Sequence, residues 1–171
     1  MNLQSTDFEL FGLPTQFAQT PSLLQERWKA LQAQAHPDNF AAQGSAAQRL
    51  AMQWSVRINE AYQRLKTPLQ RAAYLCELHG APIQAHSNTA MAPEFLMQQI
   101  EWREALDEAA TEPALDALAA SVDLAQSTLL ARCAELLDTQ GDYAAAVQVV
   151  RSLLFIDKFR HDLDARFDAL R

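Results

Sequence analysis

The sequence predicts an all-α protein in two parts, an antiparallel helical hairpin with a polar loop at its turn and a three-helix bundle after it. Three observations carry this expectation. Apolar residues recur at helical spacing along most of the 171 residues. Proline stands at the first turn of one helical stretch after another, in Thr20-Pro21, Thr67-Pro68, Pro93-Glu94 and Glu112-Pro113, where its missing N–H costs nothing. Four glycines and seven prolines are too few for the turns of a loop-rich β fold.

The elements follow in order. Around Phe8, Leu10, Phe11 and Leu13 lies a short apolar segment, expected to pack onto the helices after it. Thr20-Pro21 caps and opens a helix whose stripe is Leu24, Trp28, Leu31 and Ala35. Pro37 cannot continue that helix, so a polar loop is expected from about Pro37 to Gly44. The next helix starts near Ser45 and carries Leu50, Trp54, Ile58, Ala61, Tyr62 and Leu65 on its stripe. A shorter helix after Thr67-Pro68 places Leu69, Ala72, Ala73, Leu75 and Cys76 ahead of Gly80, a plausible C-cap. Residues 80–92 have no periodicity and read as a linker between a domain over 1–79 and a second over 93–171.

In the second part a helix opens at Pro93, and Glu112-Pro113 marks a break and restart. Leu115, Leu118, Val122, Ala125, Leu129 and Leu136 then form a stripe up to Gly141. From Tyr143 a last helix carries Val149, Leu153, Ile156, Leu163, Phe167 and Leu170. Three helices with short connections argue for a small antiparallel bundle.

Composition bounds the partners. Apolar residues make up 49% and charged residues 20%, as in packed globular proteins. The formal charge is −7, which argues against a broad nucleic-acid surface. Residues 1–80 hold seven Lys/Arg and six Asp/Glu, a balance of +1; residues 81–171 hold seven and fifteen, a balance of −8. Such asymmetry fits two halves with different partners, or two solvated surfaces without special meaning. No apolar run reaches the ~18 residues of a membrane span, and MNLQSTDFEL has no basic-then-apolar leader pattern. A cytoplasmic protein with no membrane contact is expected. Cys76 and Cys133 lie far apart with no CxxC or Cys/His cluster, and His36, His79, His86 and His161 show no ligand spacing, so no metal or cofactor is expected.

His36-Pro37-Asp38 is the first candidate site. By chemistry alone it is open: a surface His/Asp pair at a helix end, where His⁺ favours the dipole, would look the same. The order of elements adds information. A short apolar segment, a helix, this tripeptide, a longer helix with Ile58-Asn59-Glu60-Ala61-Tyr62 and Leu65, then Pro68, Arg71 and Tyr74, resembles a J-domain over residues 5–79. J-domains stimulate ATP hydrolysis by DnaK-type chaperones. The resemblance implies that His36, Pro37 and Asp38 contact the chaperone, helped by the basic Arg27 and Lys29 of the preceding helix. Pro37 would stiffen the turn, and Asp38 would offer a carboxylate to a chaperone arginine. The pattern departs in places: Gln32, Ala33 and Gln34 are uncharged, Ala35 stands where an aromatic is common, and Asn39 where a lysine is. Electrostatic steering towards an acidic chaperone surface is therefore expected to be weak.

The helix from Pro93 carries a second candidate site. At ~100° per residue, Trp102, Leu106 and Ala109 share a face with Phe95, enough to pack against two other helices. Leu96, Met97 and Ile100 lie on another side, with Glu104 and Glu108, flanked by Glu101 and Asp107. An apolar patch rimmed by acids fits a protein-docking surface; packing of Leu96 and Ile100 against the first domain or the linker is the competing reading. The segment FLMQQIEWREALDE, with VRSLLFIDKF near the end, resembles the HscB family, the J-type co-chaperones of iron–sulfur cluster biogenesis. That resemblance implies that the C-terminal bundle holds the scaffold protein IscU through Leu96, Met97, Ile100, Glu101, Glu104 and Glu108, with Phe155 added from the last helix. It implies HscA as the chaperone and a bacterial type, since the zinc-binding N-terminal extension of eukaryotic relatives is not seen. Gln98, where relatives often carry an acid, points between the two faces.

The sequence has no glycine-rich phosphate loop, no nucleophile elbow and no HExxH. Glu101, Glu104 and Glu108 could imitate acid/base carboxylates, but their spacing on one helix suits a solvated acidic face. No catalytic residue is expected; ATP hydrolysis would belong to the partner. The expected function is a co-chaperone that activates HscA and delivers IscU to it. The alternative is a general J-domain protein delivering unfolded clients, which would need a broad apolar surface or a Gly/Phe-rich linker.

Overall fold

The computed structural model describes residues 2–84 and 91–171, and all regular structure among these is helical. Seven α-helices appear: α1 Asp7–Phe11, α2 Pro21–Ala35, α3 Ser45–Lys66, α4 Pro68–Leu78, α5 Pro93–Glu108, α6 Glu112–Ala134 and α7 Tyr143–Leu170. By packing, the chain divides into Met1–Leu75 and Cys76–Arg171. The division falls within α4, a few residues ahead of the boundary at 79/80 that the loss of periodicity suggested. Within the second unit, His79 stacks on Tyr143 with ring centroids 3.9 Å apart, and Arg151 Nε donates to the Ile83 carbonyl at 2.9 Å. The start of the expected linker is thus packed structure; its residues 85–90, including His86, lie outside the described residues.

In the first unit α2 and α3 form the hairpin. Their seam is Leu24, Ile58, Ala61 and Leu65, all buried, with Trp28 stacked on Tyr62 at 4.6 Å, a contact worth about 1 kcal/mol beyond area burial. Leu50 departs from the expected stripe: it is exposed, and Ala51 takes the buried position. One residue is about 100° of helix, so the buried stripe runs one position out of phase with the expected one at that end. The short α1 is capped by Thr6, whose Oγ1 accepts from the Glu9 amide at 3.1 Å, and its Phe8, Leu10 and Phe11 are buried. Gly12 ends it at φ +63°. A Cβ there would lie 2.7 Å from Arg27 Nη1, so both the left-handed turn and the close guanidinium call for glycine.

A buried charge holds these parts together. Asp7 is wholly inaccessible. Arg64 grips it with Nε and Nη2 at 2.6 and 3.0 Å, Arg57 Nη1 approaches to 2.8 Å, and Tyr74 Oη accepts from its amide at 3.0 Å. Arg57 also donates to the Leu3 and Ser5 carbonyls, so the N-terminal strand of chain is tied down by the same cluster.

In the second unit α5, α6 and α7 pack as a three-helix bundle around Phe95, Trp102, Leu106, Leu115, Leu118, Val122, Ile156, Phe159 and Leu163. Thr111 caps α6 through a bond from the Ala114 amide at 3.3 Å. A wider, π-helical turn over Glu135–Gln140 closes α6 before Gly141, and Asp142 caps α7 at 3.1 Å from the Ala145 amide. Along α7 the expected stripe needs two corrections. Val150 rather than Val149 is fully buried, and Leu170 is exposed. Residues 146–156 of α7 are buried on more than one side, so no single apolar stripe describes this stretch.

Candidate functional site

The tripeptide sits where α2 ends. His36 is the C-terminal cap in an extended conformation, and Pro37 opens a 3₁₀ helix over Pro37–Gln43, within the polar loop expected from about Pro37 to Gly44. Proline removes a donor that the first turn does not need and fixes φ for entry. The terminal carbonyls of α2 find partners from outside the helix. Asn39 Nδ2 donates to the Ala33 carbonyl at 2.7 Å, and Ser55 Oγ of α3 donates to that of Ala35 at 3.4 Å. Asn39, which stands where a lysine is common in J-domains, thus helps close the helix end. Nothing in the one-dimensional pattern marks it, because the bond reaches back six residues across the turn.

The turn orients both polar side chains outward. His36 Nδ1 accepts from the Asp38 amide at 3.2 Å, which leaves the Nε2 side of the ring free to face a partner. The two side chains are exposed, at 60% for His36 and 91% for Asp38. Of the two expected basic helpers, Lys29 is exposed. Arg27 is exposed too, but its Nη1 donates to the Phe11 carbonyl at 3.0 Å. It therefore caps α1 as well as charging the α2 surface.

On α5 the two faces separate by burial. Phe95, Trp102 and Leu106 are buried, whereas Leu96, Met97 and Ile100 are exposed at 43%, 65% and 60%. Glu101, Glu104, Asp107 and Glu108 are all exposed beside them. Aromatic packing fixes the rotation of α5 about its axis. Trp102 stacks on Phe159 at 5.7 Å and donates from Nε1 to Ser121 Oγ at 3.4 Å. Arg103 bonds Asp162 at 3.0 Å and lies over the Phe159 ring. With α5 gripped from α6 on one flank and α7 on the other, its third side can only point outward. Phe155 of α7 is half-buried and meets Phe95 at a ring-to-ring angle of 90° and 6.4 Å, so it belongs to the margin of the core.

Among the described residues no group of three or more His, Cys, Asp or Glu is placed to hold a metal ion, and no helix is long and apolar enough to cross a membrane. Cys76 and Cys133 are free thiols. Burial pushes them up to about 11 and about 12, with Glu77 adding to the first and Cys76 to the second.

Comparison with known proteins places these features in a wider set. The family model described as the HSCB C-terminal oligomerisation domain matches residues 91–164. The co-chaperone protein HscB homolog of Bordetella avium is 50% identical over 159 residues, covering 92% of this chain and 95% of that protein. The Burkholderia vietnamiensis homolog is 46% identical over 173 residues, covering 99% and 98%. Among solved structures, the chaperone HscB from Vibrio cholerae superposes with a TM-score of 0.85 at 39% identity, covering 98% of this chain and all of the other. The human co-chaperone protein HscB shares the fold, with a TM-score of 0.90 at 24% identity over 97% of this chain and 84% of that one.

Proposed function

The chain belongs to the HscB family of co-chaperones, with an N-terminal J-domain and a C-terminal helical bundle, and from that premise we propose that it stimulates the ATPase of the DnaK-type chaperone HscA and delivers the iron–sulfur scaffold IscU to it. We assign the chaperone contact to His36, Pro37 and Asp38, with Arg27 and Lys29, and place the protein in the cytoplasm. The scaffold contact falls to Leu96, Met97, Ile100, Glu101, Glu104 and Glu108, with the half-buried Phe155.

The observation that carries this reading is the pair of outward-facing sites on separate units. One is a stiffened turn offering an imidazole and a carboxyl group; the other is an apolar patch of three large side chains among four acids. Neither makes a pocket for chemistry, and each suits a protein surface. Asp38 can take a short, directional hydrogen bond from a chaperone arginine. Leu96, Met97 and Ile100 can be desolvated under a partner while the acids stay at the wet rim. Once one partner is held, the other meets a local concentration of order millimolar, without any new contact.

The test is a steady-state HscA ATPase assay with this chain and IscU, separately and together. Stimulation by the chain alone, and greater stimulation when IscU is present, is the expected pattern. A chain that stimulates HscA equally with IscU and with an unrelated unfolded protein would instead be a general J-domain protein.

A further inference from the structure

Between α5 and α6, on the flank of α5 away from α7, lies an open groove of about 320 Å³ lined by Phe95, Gln98, Ser121, Leu124, Ala125, Thr128 and Leu129. Its α6 bank is Leu124, exposed at 70% and the most exposed large apolar side chain among the described residues. The floor is apolar: Phe95 belongs to the bundle core, and Ala125 and Leu129 pack against it. Two of its polar groups have partners within the bundle. Thr128 Oγ1 already donates to the Leu124 carbonyl at 2.9 Å, and Ser121 Oγ accepts from Trp102 at 3.4 Å.

We infer that this groove is a second docking strip for the client protein held by Leu96, Met97 and Ile100, and that it takes an apolar side chain followed by a basic one. The inference rests on the reading of that α5 face as the client site and extends it onto α6. Three observations support it. First, the two surfaces adjoin around α5: Glu101 stands one turn beyond Met97 of the exposed patch and one turn beyond Gln98 of the groove wall, and so neighbours both. Second, the α5 bank is acidic. Glu94 and Glu101 lie one turn either side of Gln98; both are exposed, and neither joins an ion pair among the described residues. The one basic side chain near them on α5, Arg103, is held by Asp162 on the opposite flank. A Lys or Arg beside the inserted apolar side chain would find those carboxylates at rim positions, where opposite charge sets register and on-rate. Third, a second copy of this chain is a poor occupant. Residues 81–171 carry seven basic and fifteen acidic residues, so two copies meeting through these halves would bring like charge together across the groove, and residues 1–80, at a balance of +1, offer little opposite charge.

Leu124→Glu tests the strip without touching the core, because the side chain is largely in solvent. Thermal melting of the full-length variant should match the parent. Titration calorimetry with IscU should show binding weaker by at least about tenfold, the loss expected for one apolar anchor. Ala125→Leu, which fills the floor, should weaken binding in the same direction. Ile100→Glu reports on the α5 face separately. If Ile100→Glu weakens IscU binding and both groove variants bind as the parent does, the groove is empty in the complex and the inference fails while the client reading stands. If none of the three weakens binding, the client reading itself falls. A Leu124→Glu effect confined to self-association, seen by sedimentation with IscU binding intact, would make the occupant a second copy and overturn the inference.

Discussion

His36 Nδ1 lies 3.2 Å from the backbone nitrogen of Asp38 and 3.6 Å from its carboxylate. The first contact uses the Nδ1 lone pair, so in the neutral ring the proton sits on Nε2 and points away from the turn. Histidine therefore shapes the turn with one nitrogen and presents a donor with the other. Glutamine has the length but one amide group, and cannot do both with the same geometry. His36→Gln should reduce stimulation of the chaperone ATPase by tenfold or more, about 1.4 kcal/mol of coupling or greater. Asp38→Asn keeps the shape of the turn and loses the charge, and should be as damaging. Since both side chains are exposed, neither variant should shift the melting temperature, and unimpaired stimulation by either would remove the tripeptide from the mechanism.

Asp7 is a different kind of charge. It is fully buried and satisfied by Arg64, Arg57 and, through its amide, Tyr74. Removing one member of a buried pair leaves an uncompensated charge, which typically costs about 3–5 kcal/mol. Asp7→Leu removes the carboxylate from two guanidinium groups and should lose about 3 kcal/mol in urea denaturation. Arg64→Met should cost less, about 1–2 kcal/mol, because Arg57 still pairs with Asp7. A larger loss from Arg64→Met than from Asp7→Leu would show that Arg64 acts mainly through its contact with the Tyr74 ring.

This cluster also marks the limit of what the chain order conveys. The helices, their proline starts and the apolar and acidic side of α5 follow from residues a turn apart, and the burial pattern agrees with that spacing at Phe95, Trp102 and Leu106. Asp7 and Arg64 are 57 residues apart, and no local period links them. A sequence signal did exist for the start of α1, since Thr6 and Glu9 have capping-box spacing, but it speaks for the helix end and is silent about the buried carboxylate. Long-range polar contacts likewise set the roles of Arg27, which caps α1, and Asn39, which caps α2. The groove beside Leu124 needed two helices in register before it could be seen, because each bank alone is an ordinary exposed surface.

Charge reversal separates the two proposed sites. Glu101→Lys/Glu104→Lys places positive charge beside Met97 and Ile100 without touching the buried face of α5. Binding of the scaffold should weaken, chiefly through a slower on-rate. The parent's affinity should fall with added salt, over the range where the Debye length drops from about 10 to about 3 Å, and the variant's should fall less. Stimulation of the chaperone by the chain alone should be unchanged. Equal loss of both activities would mean that one surface serves both partners.

The two thiols predict how stability responds to alkali. Cys76 and Cys133 are fully buried, and desolvation raises them from an ordinary 9.0 to about 11 and about 12. In the unfolded chain both ionise near pH 9, while in the folded protein both keep their protons. Between pH 9 and pH 11 the unfolded state therefore binds fewer protons than the native one, and the unfolding free energy falls as pH rises. Each thiol contributes a slope approaching about 1.4 kcal/mol per pH unit in that window. Below pH 8 both states hold their thiol protons and the slope from these groups vanishes. The Cys76→Ala/Cys133→Ala variant, less stable than the parent at pH 8 because it loses buried volume, should close part of that gap by pH 10.5 in urea titrations. Parallel curves for the two proteins across this range would mean that the thiols are already accessible to water. The same burial predicts slow alkylation at pH 8 that accelerates only when urea opens the second unit, since the thiolate is the reacting species.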